Sequence, residues 1–356
     1  MINSMNAHEI LAAAPGLLLP WFERNARALP WRADREPYHV WLSEIMLQQT
    51  RAEAVKGYYV RFLDALPDIP RLASAEPELL SKLWEGLGYY SRVRSLHRAA
   101  QEIMEIHGGV FPSDYAAIRA LPGIGDYTAG AIASICFEQP TPAVDGNVLR
   151  VVARLTGDGR CVDEEPTKRA VRMALAEIYP AGRCGDFTQS LMELGATVCL
   201  PNGAPACGAC PMRGVCVSGD GAWKTLPVRR RKPPRRREAL TVFLLRCGDL
   251  TALRRRADSG LLAGLWEFPN VPGHLSPGEA VAQAERWGVR PRDLEQSLRR
   301  THVFTHVEWD MQCYLIRCGA APDRFVWAAR EPLAREYALP TAFRMFRDVE
   351  SKSLRE

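Results

Sequence analysis

The chain has 356 residues, of which 47% are hydrophobic and 24% are charged, and it carries a formal net charge of +5. This length is about right for two domains, and the composition is that of a chain that buries hydrophobic cores and stays soluble. No apolar stretch reaches the length of a membrane span. The apolar run Ile10–Phe22 contains two prolines and follows no positive charge, so it is a poor signal peptide, and we interpret it as a buried amphipathic helix.

Helical periodicity dominates the chain from Ile10 to Cys199, with short turns marked by proline and glycine between the predicted helices. After Cys216 the composition changes, and the basic, proline-containing segment Trp223–Arg237 predicts an extended connector between two domains. Within this connector, Arg229–Arg237 contains seven Lys or Arg residues. Such a run attracts polyanions, although a solvated linker has the same composition.

Beyond the connector, the pattern changes to short β-like runs and one helix-like segment. The β-like runs are Leu240–Cys247, Leu250–Arg254 and His302–Ile316, and the helix-like segment is Glu279–Trp287. This order predicts a second, smaller domain of the α+β class.

Glu44 is the first candidate for a chemical role. It lies on a helix-like run with Val40, Trp41, Leu47 and Gln48 at three- and four-residue spacing, so its neighbours are largely apolar. A carboxyl group in such surroundings holds its proton more readily, because ionisation requires desolvation. A glutamate at the edge of an apolar stripe, paired with a cation, is the alternative interpretation.

A glycine-containing turn and an aspartate follow further along the chain. In Leu121–Gly130 the glycines allow close approach of the backbone, and a helix start immediately after them can hold a DNA phosphate, although most such turns are simply tight turns. Asp145 precedes the helical run Val148–Leu155, where it serves as a helix cap or as a carboxylate kept charged by the helix N-terminus. Two carboxyls whose environments separate their proton affinities are typical of sites that cut glycosidic bonds.

Four of the ten cysteines are clustered within eighteen residues as C-x7-C-x2-C-x5-C, at Cys199, Cys207, Cys210 and Cys216. Four thiolates in one loop can hold a [4Fe–4S] cluster. A zinc site is the alternative, but structural zinc with four cysteines usually shows two Cys-x-x-Cys knuckles, and this loop has one. The other six cysteines are scattered, and we interpret them as packing residues in a reducing compartment.

Together, the glycine turn, Asp145 and the four-cysteine loop resemble the helix-hairpin-helix glycosylase superfamily. Within it, Trp41–Thr50 (WLSEIMLQQT), Gly86–Arg92 (GLGYYSR) and the second domain are similar to the MutY-type adenine DNA glycosylases. The resemblance covers nearly the whole chain, from about residue 10 to residue 350. One departure is the spacing of the first two cysteines: the family usually has six residues between them, and this chain has seven, so the extra residue is expected to bulge outward.

The resemblance implies a mainly α helix-hairpin-helix glycosylase domain over residues 8–222, including a [4Fe–4S] loop at residues 199–216. It further implies a basic connector over residues 223–238 and an α+β Nudix-like domain over residues 239–350. We expect a cytoplasmic, nucleoid-associated monomer of bacterial type, without a signal peptide or transmembrane segment.

The resemblance also implies a reaction: hydrolysis of the N-glycosidic bond of a flipped-out adenine opposite 8-oxoguanine or guanine in double-stranded DNA. Glu44 would deliver a proton to the adenine, and ionised Asp145 would stabilise the developing sugar cation or attack it transiently. Tyr127 and Asn147 are implied as supporting groups. The related endonuclease III-type enzymes have a lysine at the position of Tyr127, and its amine leads to strand cleavage, so this chain is expected to be monofunctional.

Several further residues are implied to contact DNA or its bases. In the first domain these are Arg32, Gln48, Gln49, Tyr89, Gly123 and Gly125, with Tyr89 expected to wedge into the space that the flipped base leaves. In the second domain, Phe304, Thr305 and His306 match a loop that reads 8-oxoguanine, usually Phe-Ser-His in the family.

The second domain is expected to bind without hydrolysing. Ser259–Pro269 resembles the Nudix-like domain, but Gly278–Val289 contains only Glu279 and Glu285, too few carboxylates for the magnesium site of a Nudix hydrolase. Two other functions remain open from the sequence: a bifunctional glycosylase/lyase of the endonuclease III type, and a non-catalytic iron–sulfur protein that binds DNA.

Overall fold

The computed structural model describes residues 5–219, 221–231 and 233–347. The chain divides into two compact units. The first unit comprises Met1–Ser74 and Ser95–Arg231, and the second comprises Ala75–Arg94 and Lys232–Glu356. Among the described residues, every helix is too short or too polar to cross a bilayer.

Twelve helices precede the cysteine loop within the described residues. They are α1 (Ala7–Ala12), α2 (Ala14–Asn25), α3 (Pro37–Leu47), α4 (Ala52–Ala65), α5 (Ile69–Ala73), α6 (Pro77–Leu83), α7 (Ser91–Ile106), α8 (Tyr115–Ala120), α9 (Asp126–Phe137), α10 (Gly146–Thr156), α11 (Glu165–Ala176) and α12 (Cys184–Thr197). Side-chain caps start several of them: Asn6 forms a capping box on α1, and Asp114 accepts two backbone N–H bonds of α8. The run predicted as one helix, Ile10–Phe22, is divided between α1 and α2 at Ala13.

Helices α9, α10 and α12 lie at the centre of the first unit. Every residue of α10 from Val148 to Leu155 is buried, including two arginines. Gly195 allows α12 to approach the start of α10 closely, because a Cβ at this position would lie only 2.6 Å from the Cβ of Asn147. The contact between these two helices therefore requires glycine at this position.

The second unit is built on one seven-stranded sheet. Its elements after the connector are β1 (Arg236–Cys247), β2 (Leu250–Arg255), β3 (Trp266–Glu267), β4 (Asn270–Pro272), α13 (Pro277–Arg286), β5 (Pro291–Val303), β6 (Val307–Cys318), β7 (Val326–Ala329), α14 (Arg330–Arg335) and α15 (Thr341–Arg347). The strand order is β3-β2-β1-β6-β5, with β4 paired to β1 and β7 paired to β2. Strands β1 and β6 are parallel, and β5 and β6 form an antiparallel hairpin.

Both faces of this sheet are buried, which explains the continuous apolar run in β1. Val242 and Leu244 pack in one core with Phe343 of α15, whereas Phe243 and Leu245 pack in the opposite core. Successive residues of a strand point to opposite faces, so a strand covered on both sides is apolar at every position.

The hairpin of β5 and β6 corrects one prediction. The segment His302–Ile316 was expected to be a single β-like run, but the chain reverses at Phe304–His306, between the two strands. A bond from the Phe304 N–H to the Val307 carbonyl, 2.8 Å long, closes the turn. The two adjacent polar residues Thr305 and His306 interrupt the apolar–polar alternation at the turn, and this short interruption was the available signal of the reversal.

Candidate active site

Glu44 lies in the middle of α3 and is only 5% exposed. The phenol oxygen of Tyr127, in the first turn of α9, donates a hydrogen bond of 2.5 Å to the Glu44 Oε2 atom. Helix α3 begins at Pro37. Proline suits this position because it has no backbone N–H, and an N–H in the first turn of a helix would have no intrahelical acceptor. The expected apolar setting of Glu44 is therefore present, with a tyrosine as its hydrogen-bond donor.

Burial changes the acidity of both members of this pair. Burial and, to a smaller extent, the charge of Asp145 raise the pKa of Glu44 to about 7, although the Tyr127 hydrogen bond and the charge of Arg32 act in the opposite direction. Burial and the nearby carboxylates raise the pKa of Tyr127 well above its usual value. Tyr127 therefore stays a donor, and Glu44 is poised to exchange a proton near neutral pH.

Asp145 is the N-cap of α10, and its carboxylate is held by three N–H donors. The backbone N–H groups of Asn147 and Val148 donate bonds of 2.9 and 2.8 Å, and the Asn147 side-chain amide donates one of 2.7 Å. Burial nevertheless raises the pKa of Asp145, against the effect of these donors. The sequence predicted only the opposing influence of the helix N-terminus, because it gives no measure of burial.

A buried arginine that the sequence analysis did not single out fixes Asn147. The Arg150 guanidinium donates a hydrogen bond of 2.9 Å to the Asn147 Oδ1 atom and another of 2.7 Å to the Gly195 carbonyl. Its Nε atom donates 2.8 Å to the carbonyl of Cys199, the first cysteine of the loop. The available signal was the spacing of Asn147, Arg150 and Arg154, which places three polar residues on one face of an apolar helix.

Three other candidates surround this part of the first unit. The Gln48 side-chain amide, just after α3, donates 3.3 Å to the Thr128 hydroxyl, and Thr128 is adjacent to Tyr127. Gln49 is exposed and has a positive φ of 58°, a conformation that is uncommon for a residue with a side chain. Arg32 donates a hydrogen bond of 2.9 Å to the fully buried carboxylate of Glu193, so part of its guanidinium already has a partner within the protein.

The turn between α8 and α9 contains both predicted glycines. Gly123 has a φ of 79°, and a Cβ at this position would lie 2.5 Å from the Ser95 Cβ atom. Gly125 is the N-cap of α9, and a Cβ there would meet only open space. The turn therefore needs glycine for its shape at Gly123, and its backbone is open to an approaching group at Gly125.

The four clustered cysteines line one cavity, together with Arg154 of α10 and Ser218. Burial, together with the charges of the other three cysteines, raises the pKa of the Cys210 thiol to about 11. Arg154 donates to the Cys199 Sγ atom at 3.4 Å and to the Leu200 carbonyl at 2.8 Å.

The cavity also contains a polar atom that needs a partner. The Ser218 Oγ atom is buried and makes no hydrogen bond within residues 5–219, 221–231 and 233–347. Four thiols, an arginine donor and an unsatisfied hydroxyl around one cavity fit a sulfur-rich group bound by the cysteines. In the same described ranges, no set of three or more His, Cys, Asp or Glu side chains is arranged as ligands of a single metal ion.

The remaining candidates, Tyr89 and Phe304–His306, belong to the second unit. Thr305 and His306 are exposed at the tip of the β5–β6 hairpin, and the Phe304 ring packs edge-on against His302 and Trp309. Tyr89 is 44% exposed, and its phenol oxygen forms a hydrogen bond with the Thr305 hydroxyl. The structure thus brings together the expected wedge and the expected reading loop beside a cavity of about 490 Å³ that both of them line.

Comparison with protein families matches both units. A family model described as "HhH-GPD superfamily base excision DNA repair protein" matches residues 42–181. A second model, described as "NUDIX domain", matches residues 241–348. The predicted fold class, a helix-hairpin-helix glycosylase domain followed by a Nudix-like domain, is confirmed.

Individual relatives agree with these matches. The chain is 36% identical to the adenine DNA glycosylase of Mus musculus, in an alignment that covers 93% of this chain and 77% of that protein. It is 37% identical to the adenine DNA glycosylase of Homo sapiens, with 85% and 67% covered. Among solved structures, a thermostable thymine-DNA glycosylase has a TM-score of 0.54 and 27% identity, and the match covers 60% of this chain and 97% of that one.

The raised pKa of Glu44 predicts a pH-dependent loss of stability. The folded protein retains a proton on Glu44 that the unfolded chain releases. The contribution of this proton to the free energy of unfolding is therefore fully present below the usual glutamate pKa of 4.5, and it is lost as the pH rises through about 7. Glu44→Gln removes this titration. The stability of this variant relative to the parent should therefore be greater at pH 8 than at pH 5, by up to about 3 kcal/mol.

Thermal melting followed by circular dichroism at both pH values measures this effect. Glu53→Gln, at an exposed glutamate of α4, is the matched control and should leave the pH profile of the parent unchanged. Equal melting shifts for the two variants at both pH values would contradict the burial of an ionisable Glu44.

Proposed function

Since the chain belongs to the adenine DNA glycosylase family, whose members hydrolyse N-glycosyl bonds in base excision repair, we propose that it removes adenine mispaired with 8-oxoguanine or guanine in duplex DNA. The observation that carries the proposal is the pairing of two differently solvated carboxyls, Glu44 and Asp145, whose charges interact. Catalytic sites for glycosidic bonds depend on such a pair.

Glu44 acts as the general acid. With its pKa raised to about 7, a large fraction of Glu44 carries a proton at neutral pH, and this proton goes to a ring nitrogen of the adenine. Protonation makes the base a better leaving group, so the bond between the sugar and the base breaks more easily. The Tyr127 hydroxyl, which donates to Glu44 Oε2, orients the carboxyl and leaves its other oxygen for the base.

Asp145 stabilises the positive charge that develops on the sugar as the base departs, or attacks it transiently. Water then adds to the same sugar carbon and gives its proton to Glu44, which has passed its own proton to the base. The ionised form of Asp145 is supported by the N–H donors of α10 and the Asn147 amide, and Arg150 holds Asn147 in place. Because these donors are fixed before the reaction, little reorganisation is needed when the sugar cation forms.

The target adenine has to leave the base stack before Glu44 can reach it. We assign the wedge to Tyr89, an exposed aromatic side chain on a turn, with Gln49 assisting. The open N-terminus of α9 at Gly125 is suited to a DNA phosphate, with Gly123 shaping the turn. Thr305, with Phe304 and His306, reads the base opposite the adenine through its exposed hydroxyl.

The reaction is proposed to stop at base removal. A lyase step needs an amine that forms an imine with the sugar, and at the corresponding position this chain has Tyr127, whose hydroxyl is bonded to Glu44. This separates the proposal from the bifunctional endonuclease III-type alternative.

The cysteine loop is proposed to bind a [4Fe–4S] cluster through Cys199, Cys207, Cys210 and Cys216. When bound, the cluster would cross-link the loop through four iron–thiolate bonds. Arg154 places its guanidinium against Cys199 Sγ, and Arg150 connects the Cys199 carbonyl to Asn147, so the loop supports the end of α10 that carries Asp145.

The first test is single-turnover excision on a duplex with adenine opposite 8-oxoguanine, scored as strand breaks after alkali. Glu44→Gln should reduce the excision rate by roughly 10²–10⁴ because it removes the proton donor with little change of shape, while binding of the mispair persists. Asp145→Asn should reduce the excision rate by a factor of about 10²–10³, because it removes the negative charge that faces the sugar cation.

Glu53→Gln is again the matched control and should excise at the parent rate. A parent protein that binds the mispair without releasing adenine would support the non-catalytic alternative. Excision by Glu44→Gln at nearly the parent rate would show that the proton comes from another group.

A second test concerns strand cleavage. Borohydride should trap little covalent adduct between the parent protein and DNA, and strand breaks should require added alkali, because Tyr127 offers no amine. Tyr127→Lys is the informative variant, since a trapped adduct in this variant alone would place the residue beside the sugar. Efficient trapping by the parent would favour the bifunctional alternative.

A third test concerns the metal. The purified full-length protein should be brown and contain roughly four irons per chain. Cys207→Ser should lose most of this iron, whereas Cys247→Ser, a cysteine outside the loop, should retain it. A colourless parent protein with one zinc and no iron would overturn the assignment.

A further inference from the structure

The turn that carries Tyr89 has a strained backbone. Gly86, Gly88 and Tyr89 all have positive φ values, of 104°, 73° and 48°. For Tyr89 this conformation is unfavourable, since its Cβ crowds the backbone, so surrounding contacts have to maintain it. The position of the wedge in the second unit therefore depends on what holds this turn.

Contacts within the segment fix the shape of the turn. The Arg92 guanidinium donates 3.1 Å to the Leu87 carbonyl and 3.0 Å to the Gly88 carbonyl, and it stacks over the Tyr89 ring at 5.6 Å. The indole nitrogen of Trp84 donates 3.1 Å to the same Gly88 carbonyl. These bonds determine the local conformation, but they do not connect the turn to the rest of the second unit.

Lys82, in the last turn of α6, and Glu85, just beyond the helix, make that connection. The Lys82 Nζ atom donates 2.5 Å to the Ala334 carbonyl and 3.3 Å to the Tyr337 carbonyl, at the end of α14 and just beyond it. The Glu85 carboxylate accepts the Lys82 ammonium through Oε2 at 2.7 Å and the Leu339 backbone N–H through Oε1 at 2.9 Å. Both side chains are largely shielded from water, with exposures of 21% and 11%.

We propose that Lys82 and Glu85 are positioning residues that set the preference for the base opposite the adenine. They hold the Tyr89 turn to the α14–α15 connection, and the Tyr89 hydroxyl then meets Thr305 at the tip of the hairpin. This inference rests on the proposed function, because it takes Tyr89 as the wedge and Thr305 as part of the reading loop. Neither Lys82 nor Glu85 takes part in proton transfer.

The pattern of partners distinguishes this pair from an ordinary ion pair on a helix. Lys82 faces two carbonyl oxygens, and Glu85 faces an N–H, so each charge matches the backbone group that it contacts. Exchanging the two residues would keep an ion pair of the same spacing but would place a carboxylate against carbonyls and an ammonium against an N–H. A simple surface pair would tolerate the exchange.

The experiment uses the full-length protein with three variants: Lys82→Met, Glu85→Gln and the exchanged double variant Lys82→Glu/Glu85→Lys. Lys56→Met is the matched control, because Lys56 forms an i,i+3 pair with Glu53 on α4 that is more exposed. Single-turnover excision is measured on duplexes with adenine opposite 8-oxoguanine and opposite guanine. Hydrogen exchange of the peptide that spans residues 84–92 is measured in parallel on the free proteins.

Lys82→Met should lower the preference for 8-oxoguanine over guanine about tenfold, mainly through the 8-oxoguanine rate, and should increase exchange in residues 84–92. The double variant should lose at least as much of this preference as Lys82→Met. The preference of Glu85→Gln should lie between those of the double variant and the parent, and Lys56→Met should have the preference of the parent. Glu85→Gln is the milder variant if Lys82→Met melts early. Since Gln can still accept the Leu339 N–H, its partial effect separates positioning from unfolding.

Parent-like preference in the double variant, or an unchanged preference despite faster exchange, would overturn the positioning role. Parent-like exchange in Lys82→Met would also overturn it. If the parent itself released no adenine from either duplex, the proposed function would fail, and the connection made by Lys82 and Glu85 would still be decided by hydrogen exchange.

Discussion

The burial of Glu44 beside the charge of Asp145 is the constraint on which the site depends. A carboxylate removed from water is costly unless donors replace its hydration, and two of them close together increase that cost. The protein treats the two groups differently: Asp145 receives three N–H donors from the start of α10, and Glu44 receives the single hydroxyl of Tyr127. Burial raises the pKa of both groups, and it is the largest cause of the rise of the Glu44 pKa to about 7.

This arrangement explains features of the first unit that are distant from any chemistry. The donors of Asp145 exist only because α10 begins at Gly146, and α10 approaches α12 closely only because position 195 is glycine. Arg150 uses the same close approach to bond the Gly195 carbonyl and the Asn147 side chain. A substitution in this contact would therefore disturb the carboxylate without touching it.

In the second unit, the sheet forms the framework, and the residues proposed to recognise DNA lie on its irregular parts. Cores on both faces hold β1 and β6, and the exposed hairpin tip projects from this rigid base. The turn at Tyr89 lies early in the sequence but belongs to this unit, where bonds from Trp84 and Arg92 maintain its strained backbone and Glu85 connects it to the Leu339 N–H. Rigid elements thus position the loops, which is how binding sites commonly combine precision with variable chemistry.

The sequence by itself determined the fold class, the family and the residue types available for chemistry, whereas the structure groups Ala75–Arg94 with the second unit and not with the first. Local patterns were sufficient because the helical period around Glu44, the glycines of the turn and the spacing of the cysteines are written in neighbouring positions. The resemblance to a known family added the roles proposed for Asp145 and Tyr127. Only the tertiary structure decided how those groups are solvated and what holds them.

The bond between Tyr127 and Glu44 joins positions 83 residues apart, and Arg150 reaches Cys199 across 49 residues. The reversal at Phe304–His306 was marked only by the two adjacent polar residues Thr305 and His306, and the attachment of the Tyr89 turn to Leu339 spans most of the chain. Hydrogen bonds and burial depend on distances in the folded state, and sequence spacing reports such distances only within a single helix or strand. The proton affinities on which the proposed reaction depends are therefore properties of the folded protein.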